Sequence, residues 1–151
     1  MTLAHLTAYL ATDTWQNQLV TTLQACSGNI GAHCEDVPAA ARAPLLAALA
    51  LRWHGPMLIV TPRPDQADEL AELLRIYLPS SLTPQRWPVA DTLPYDVLLP
   101  DADVGARQVA ILWHLLSNVP QVVIVPARAL GQLVGMPEAL QAHTLELRVG
   151  M

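Results

Sequence analysis

Asp36-Val37-Pro38-Ala39-Ala40-Ala41-Arg42-Ala43 stands where a helix that feeds a buried strand begins. A nucleotide-binding chain would carry GxxxxGK[ST] at that place. Backbone N–H groups there must turn inward onto phosphate oxygens, in conformations that glycine reaches without strain. No glycine remains in this stretch, and Pro38 has no N–H to offer. Arg42 stands where the lysine would, and Ala43 lacks the hydroxyl that would hold magnesium. The residues therefore read as a degenerate phosphate loop at Asp36, Ala41, Arg42 and Ala43, with Arg42 reduced to a solvated helix residue.

Asp91 to Asp103, DTLPYDVLLPDAD, is the second stretch with functional character. It is long, proline-punctuated and acidic, yet it carries Leu93, Tyr95, Val97, Leu98 and Leu99. Loops of this kind are often functional. Either the apolar side chains pin the loop to the domain's own core, or they form a contact surface for another domain. On the second reading Leu93, Tyr95, Asp96, Asp103 and Arg107 are the candidate interaction residues. Cys26 and Cys34 fit neither a disulfide framework nor a zinc pattern, because no second close Cys or His pair accompanies them, and they read as free thiols. His33 has no partner at ligand spacing. No catalytic residue, metal or cofactor is expected here.

These residues must be positioned by helices and strands. Residues Thr2 to Cys26 suit two short amphipathic helices, the second capped by Asp13 or Thr14. A turn with Gly28 and Gly31 leads into a weak strand around Ile30 to Cys34. Leu45, Leu46, Ala48, Leu49 and Trp53 then repeat near the helical period, which predicts a buried face, and Gly55 followed by Pro56 should end that helix in the left-handed conformation. Met57-Leu58-Ile59-Val60 is a continuous apolar run, predicted as a strand covered on both faces of a parallel sheet. Pro62-Arg63-Pro64-Asp65 starts a second helix, with Ala67, Leu70, Ala71, Leu74, Tyr77 and Leu78 inward and Asp65, Asp68, Glu69, Glu72 and Arg75 outward.

Arg86 to Ala90 reads as a short strand that Pro88 confines to an edge or a strand end. Val104 to Asn118 is the clearest helix. Its Val109, Ala110, Trp113 and Leu116 form the expected apolar stripe, with Arg107, Gln108, His114 and Ser117 elsewhere. Gln121 to Val125 is a second buried strand, so a doubly wound α/β sheet is predicted. A helix should start at Pro126-Ala127-Arg128-Ala129-Leu130, a helical turn at Pro137 to Leu140, and an alternating strand at His143 to Val149.

With 151 residues the chain suits one domain with a real core. Hydrophobic residues at 52%, charged residues at 14% and a net charge of -5 exclude a disordered or polycationic chain. All eight basic residues are arginines scattered singly from Arg42 to Arg148, so strong direct DNA binding is not expected. No leader pattern opens the sequence and no apolar run approaches bilayer length, so a cytoplasmic location with no membrane partner is expected.

The order of three blocks carries a resemblance. Ala41 to Pro62, then Leu93-Pro94-Tyr95-Asp96 with Pro100, Asp103 and Arg107, then Val122-Val123-Ile124-Val125-Pro126 closely resemble the amino-terminal, UvrB-like region (domain 1A) of bacterial transcription-repair coupling factors. More distantly they resemble the first helicase domain of the excision-repair protein UvrB, where the same helix and strand follow a working phosphate loop. At Asp36 to Ala43 the chain sides with the coupling factors. UvrB-like proteins also carry a tyrosine-rich hairpin after the region matching Tyr95-Asp96, whereas only Tyr95 is aromatic here.

The resemblance implies a P-loop NTPase-like (RecA/helicase-type) α/β fold, a parallel sheet with flanking helices, a degenerate nucleotide site and truncated bounds. It divides the chain into amino-terminal helices at 1–27, a UvrB-like degenerate helicase domain 1A at 28–142, and the start of the following domain at 143–151. It further implies a non-catalytic scaffold in transcription-coupled nucleotide excision repair. The partners would be the other domains of the parent protein, with UvrA and RNA polymerase engaged through the full-length protein, and ATP and magnesium would belong to a motor elsewhere. An unfinished sheet edge is expected to self-associate. Two competing readings are a fragment of an active UvrB-like ATP-dependent DNA helicase, with Arg42 on the phosphate, and a regulatory α/β module unrelated to repair.

Overall fold

Three parallel strands flanked by helices form the centre of the molecule. The structure is a computed structural model and describes residues 3, 7, 14–25, 33–89, 102–131 and 135–145. In chain order the elements are α1 (Thr14–Ala25), α2 (Ala39–Arg52), β1 (Met57–Thr61), α3 (Pro64–Tyr77), β2 (Gln85–Arg86), α4 (Ala102–Leu116), β3 (Val122–Pro126), a 3-10 helix (Ala127–Gly131) and α5 (Pro137–Ala142). The sheet order is β1-β3-β2, all parallel, with Met57 opposite Val122, Thr61 opposite Pro126 and Gln85 opposite Val123. The mixed α/β class and the parallel pairing expected from the sequence are thus present.

The apolar run Val122-Val123-Ile124-Val125 is buried on both faces because β3 is the central strand. Val122 and Ile124 face α2 and α3, where Ala43, Ala47, Ala50, Ala67, Ala71, Leu74 and Leu78 close the core, with Met57 and Ile59 packed against them. Most of that helix contact is alanine, so the two helices approach closely and larger side chains stay at its margins. Of the residues expected inside, Ala48 is fully buried, but Leu45, Leu46, Leu49 and Trp53 are only half-buried, while Ala43 and Ala47, not expected there, are buried. α3 follows its expected pattern: Pro64 opens it, Asp65 lies in the first turn, Arg75 in the last, and the acidic face is exposed.

The second face of the sheet holds Val123, Val125, Trp87, Ile111 and Ala129, with Leu112 and Leu115 packed against them. Here α4 departs from expectation. Val109 is 49% exposed and Trp113 38%, with Ala110 and Leu116 exposed beside them, whereas Gln108, Ile111, Leu112 and Leu115 turn toward the sheet. Both sets have helical spacing. The inward one wins because Gln108 donates through Nε2 to the Pro88 carbonyl at 2.9 Å, and buried Gln121 donates to the Ile111 carbonyl at 3.3 Å. A polar residue at an inward position hid that face from an apolar count.

β1 is also corrected. It is an edge strand among the described residues, so Leu58 is 51% exposed and Val60 49%, while Met57 and Ile59 pack on the core. α2 ends at Arg52 rather than at Gly55: Trp53 turns extended (φ -85°, ψ 120°) with its N–H still on the Leu49 carbonyl, and Gly55 does not take the left-handed conformation. β2 spans only Gln85–Arg86, although Trp87 continues it by donating to the Ile124 carbonyl at 2.8 Å. The helix expected after Pro126 is a 3-10 turn. His143 closes α5, and neither Thr144 nor Leu145 is in a strand; the rest of the strand expected at His143 to Val149 lies outside the described residues. His33 and Cys34 take no strand either, and the remainder of that segment, like most of the first amino-terminal helix, is also outside them.

Candidate functional site

Asp36 to Ala43 forms the start of α2, on the approach to the carboxyl end of β1. Asp36 is exposed with φ 56°, a left-handed conformation that aspartate tolerates because its short polar side chain bonds locally. Pro38 occupies the N-cap position (φ -56°, ψ 145°) and no side chain caps the helix. The Ala41 N–H donates to the Pro38 carbonyl at 2.9 Å. Ala43 is buried in the core between α2 and α3, and it also lines a cavity at the carboxyl end of β1, where its methyl group has no hydroxyl to offer a metal. Arg42 is exposed, and among the described residues it has neither an ion-pair nor a hydrogen-bond partner.

Two cavities meet at Arg42. The first, of about 330 Å³, is lined by Leu19 of α1, by Cys34 and Val37 ahead of α2, and by Arg42, Leu45 and Leu49 of α2. The second, of about 320 Å³, lies at the carboxyl end of β1, where α/β sheets commonly bind ligands. Its polar lining is Arg42, Thr61, Gln66 and Glu69. Thr61 Oγ1 donates to the Arg63 carbonyl at 3.1 Å, whereas Gln66 Oε1 is buried without a hydrogen-bond partner among the described residues.

Arg42, Thr61, Gln66 and Glu69 give the second cavity donors and acceptors that can bind a polar ligand. His54 Nδ1 lies 2.9 Å from the Arg52 carbonyl, His143 Nδ1 lies 2.7 Å from that of Ala139, and His33 pairs with Glu35 at 3.3 Å. None of these imidazoles is aimed at a hydroxyl or thiol. No group of three metal-ligating side chains occurs among the described residues, and no described helix is long and apolar enough to cross a membrane.

Asp103 lies exposed in the first turn of α4 and Arg107 is exposed one turn later, while Leu93, Tyr95 and Asp96 lie outside the described residues. The structure brings Asp36, Ala41, Arg42 and Ala43 together only as consecutive positions of one helix start. Sequence reasoning did not find the cavity residues Leu19, Cys34 and Val37, which come from different segments and share no periodicity. Gln66 was missed because it sits in the polar first turn of α3.

No family model matches the chain. Over 118 residues, 76% of its length, the chain is 31% identical to the transcription-repair-coupling factor of Escherichia coli (strain K12). The matched stretch is 10% of that protein, so the chain spans about a tenth of the length of the curated relative it matches.

Proposed function

We propose that this chain is a non-catalytic scaffold of a transcription-repair coupling factor, corresponding to its UvrB-like domain 1A, and that it serves transcription-coupled nucleotide excision repair. In that reading it is a P-loop-type α/β domain without a working nucleotide site. It holds the neighbouring domain that recruits UvrA, and it helps restrain the motor of the parent protein. The similarity to the E. coli factor supports the setting. The observation that carries the non-catalytic role is the helix start itself. Pro38 stands at the N-cap, no glycine lies between Asp36 and Ala43, and the Ala43 side chain is turned into the core. A phosphate cradle needs inward amides and a magnesium-binding hydroxyl, and this turn offers neither.

Calorimetric titration with magnesium-ATP, with thermal melting alongside, tests this reading, because a ligand that binds only the folded state raises the midpoint. Absence of heat and of a midpoint shift is the expected result. Saturable heat that Arg42→Ala removes would overturn it in favour of an active UvrB-like helicase fragment, the reading that exposed Arg42 beside the carboxyl end of β1 keeps in view. Capture of UvrA by a longer chain that includes the following domain, absent for an unrelated α/β module, tests the repair setting.

A further inference from the structure

The cavity between α1, residues 33–38 and α2 adjoins the one at the carboxyl end of β1, sharing Arg42 and Leu46 with it, but has a different chemistry. Its volume of about 330 Å³ falls at the small end of the range for organic-ligand sites. Leu19, Val37, Leu45 and Leu49 make its wall apolar, and among the described residues Arg42 is the single charged group on it. Arg42 has no carboxylate partner among the described residues: Glu35 pairs with His33, and Glu69 lines the second cavity with Arg42 without pairing to it. A guanidinium offers two parallel N–H donors that match one carboxylate. A doubly charged phosphate would need further donors, and here Pro38 has no N–H and the Ala41 N–H is already bonded to the Pro38 carbonyl.

We propose that this cavity binds an amphipathic carboxylate, its alkyl chain among Leu19, Val37, Leu45 and Leu49 and its headgroup on Arg42. The inference is independent of the proposed repair function. Burying the chain supplies most of the affinity, at about 0.8 kcal/mol per methylene. The headgroup supplies discrimination, and because Arg42 is exposed that discrimination is modest.

The test uses the 151-residue chain with Cys26→Ser, leaving Cys34, which lines the cavity, as the thiol to be read. Alkylation of Cys34 is followed against decanoate and decanol, both held below micelle formation. Decanoate should slow alkylation saturably, about tenfold at ten times its Kd by mass action. It should bind roughly threefold to fivefold more tightly than decanol, as a partly exposed ion pair allows. Arg42→Gln should bring the two probes together while leaving decanol unchanged, and Leu45→Trp should abolish protection by both, with circular dichroism verifying that each variant folds. Failure of both probes to protect Cys34, a decanoate preference that survives Arg42→Gln, or protection that survives in folded Leu45→Trp would each overturn the proposal.

Discussion

Thr7 donates its hydroxyl hydrogen to the carbonyl oxygen of Tyr77 at 3.0 Å, joining positions 70 residues apart. Beside it the Leu3 N–H donates to the Ile76 carbonyl at 2.8 Å. The final carbonyls of a helix have no partner within it, so residues near the amino terminus complete the last turn of α3. Thr7 is fully buried. Thr7→Val, nearly isosteric, leaves that carbonyl short of a donor and should cost about 1–3 kcal/mol, while Thr7→Ser should retain most of the stability. Urea unfolding of both variants measures the difference, and equal midpoints would show that the hydroxyl contributes nothing.

The reversed face of α4 gives a second pair of variants. Ile111 is buried against Trp87, Val123 and Val125, whereas Val109, on the stripe read from the sequence, is 49% exposed. Ile111→Ala should lose about 2–5 kcal/mol through the cavity it leaves. Val109→Ala, at a half-exposed position, should cost only about 1 kcal/mol or less. Thermal melts showing the opposite ranking would restore the face read from the sequence.

The contrast between α3 and α4 shows what a single sequence can convey. α3 alternates small apolar and charged residues so cleanly that one burial pattern fits, and Ala67, Ala71 and Leu74 are buried as read. α4 is apolar around most of its circumference, so its spacing admits two faces, and tertiary packing through Gln108 and Gln121 selects one. β3 was legible because a continuous apolar run belongs in the centre of a parallel sheet. β1, equally apolar, lies at an edge, and nothing in its own residues separates the two cases. At the candidate site the missing glycines and the exposure of Arg42 were legible from local chemistry. The cavity was not, because Leu19, Cys34 and Leu45 meet only once α1 packs on α2.

Asn118 closes α4 with φ 52°. Its N–H donates to the Leu115 carbonyl at 3.2 Å and the Val119 N–H to the His114 carbonyl at 3.1 Å, the paired bonds of a Schellman termination. Asparagine enters this left-handed region more readily than any β-branched residue. Asn118→Gly should therefore leave stability within a few tenths of a kcal/mol or raise it slightly, and Asn118→Val should cost about 1–2 kcal/mol. A valine variant that melts with the parent would show that this turn is free to adopt another conformation.

Ala47 is buried without exposed surface in the contact between α2 and α3, facing Ala67, Ala71 and Leu74 as part of one cluster. Close approach of the two helices depends on that side chain being small, because the facing residues are small as well. Ala47→Leu inserts volume where the packing leaves none and should cost about 1–3 kcal/mol by forcing strained rotamers or spreading the helices. Ala40→Leu, on the same face but two turns nearer the exposed start of α2, adds the same side chain where solvent receives it and should change stability by less than about 0.5 kcal/mol. Because both substitutions replace one good helix former with another, propensity cannot account for a difference between them. An Ala47→Leu variant as stable as the parent would mean that α2 and α3 are loosely apposed, and the alanine contact would then be incidental to the core rather than the feature that sets its width.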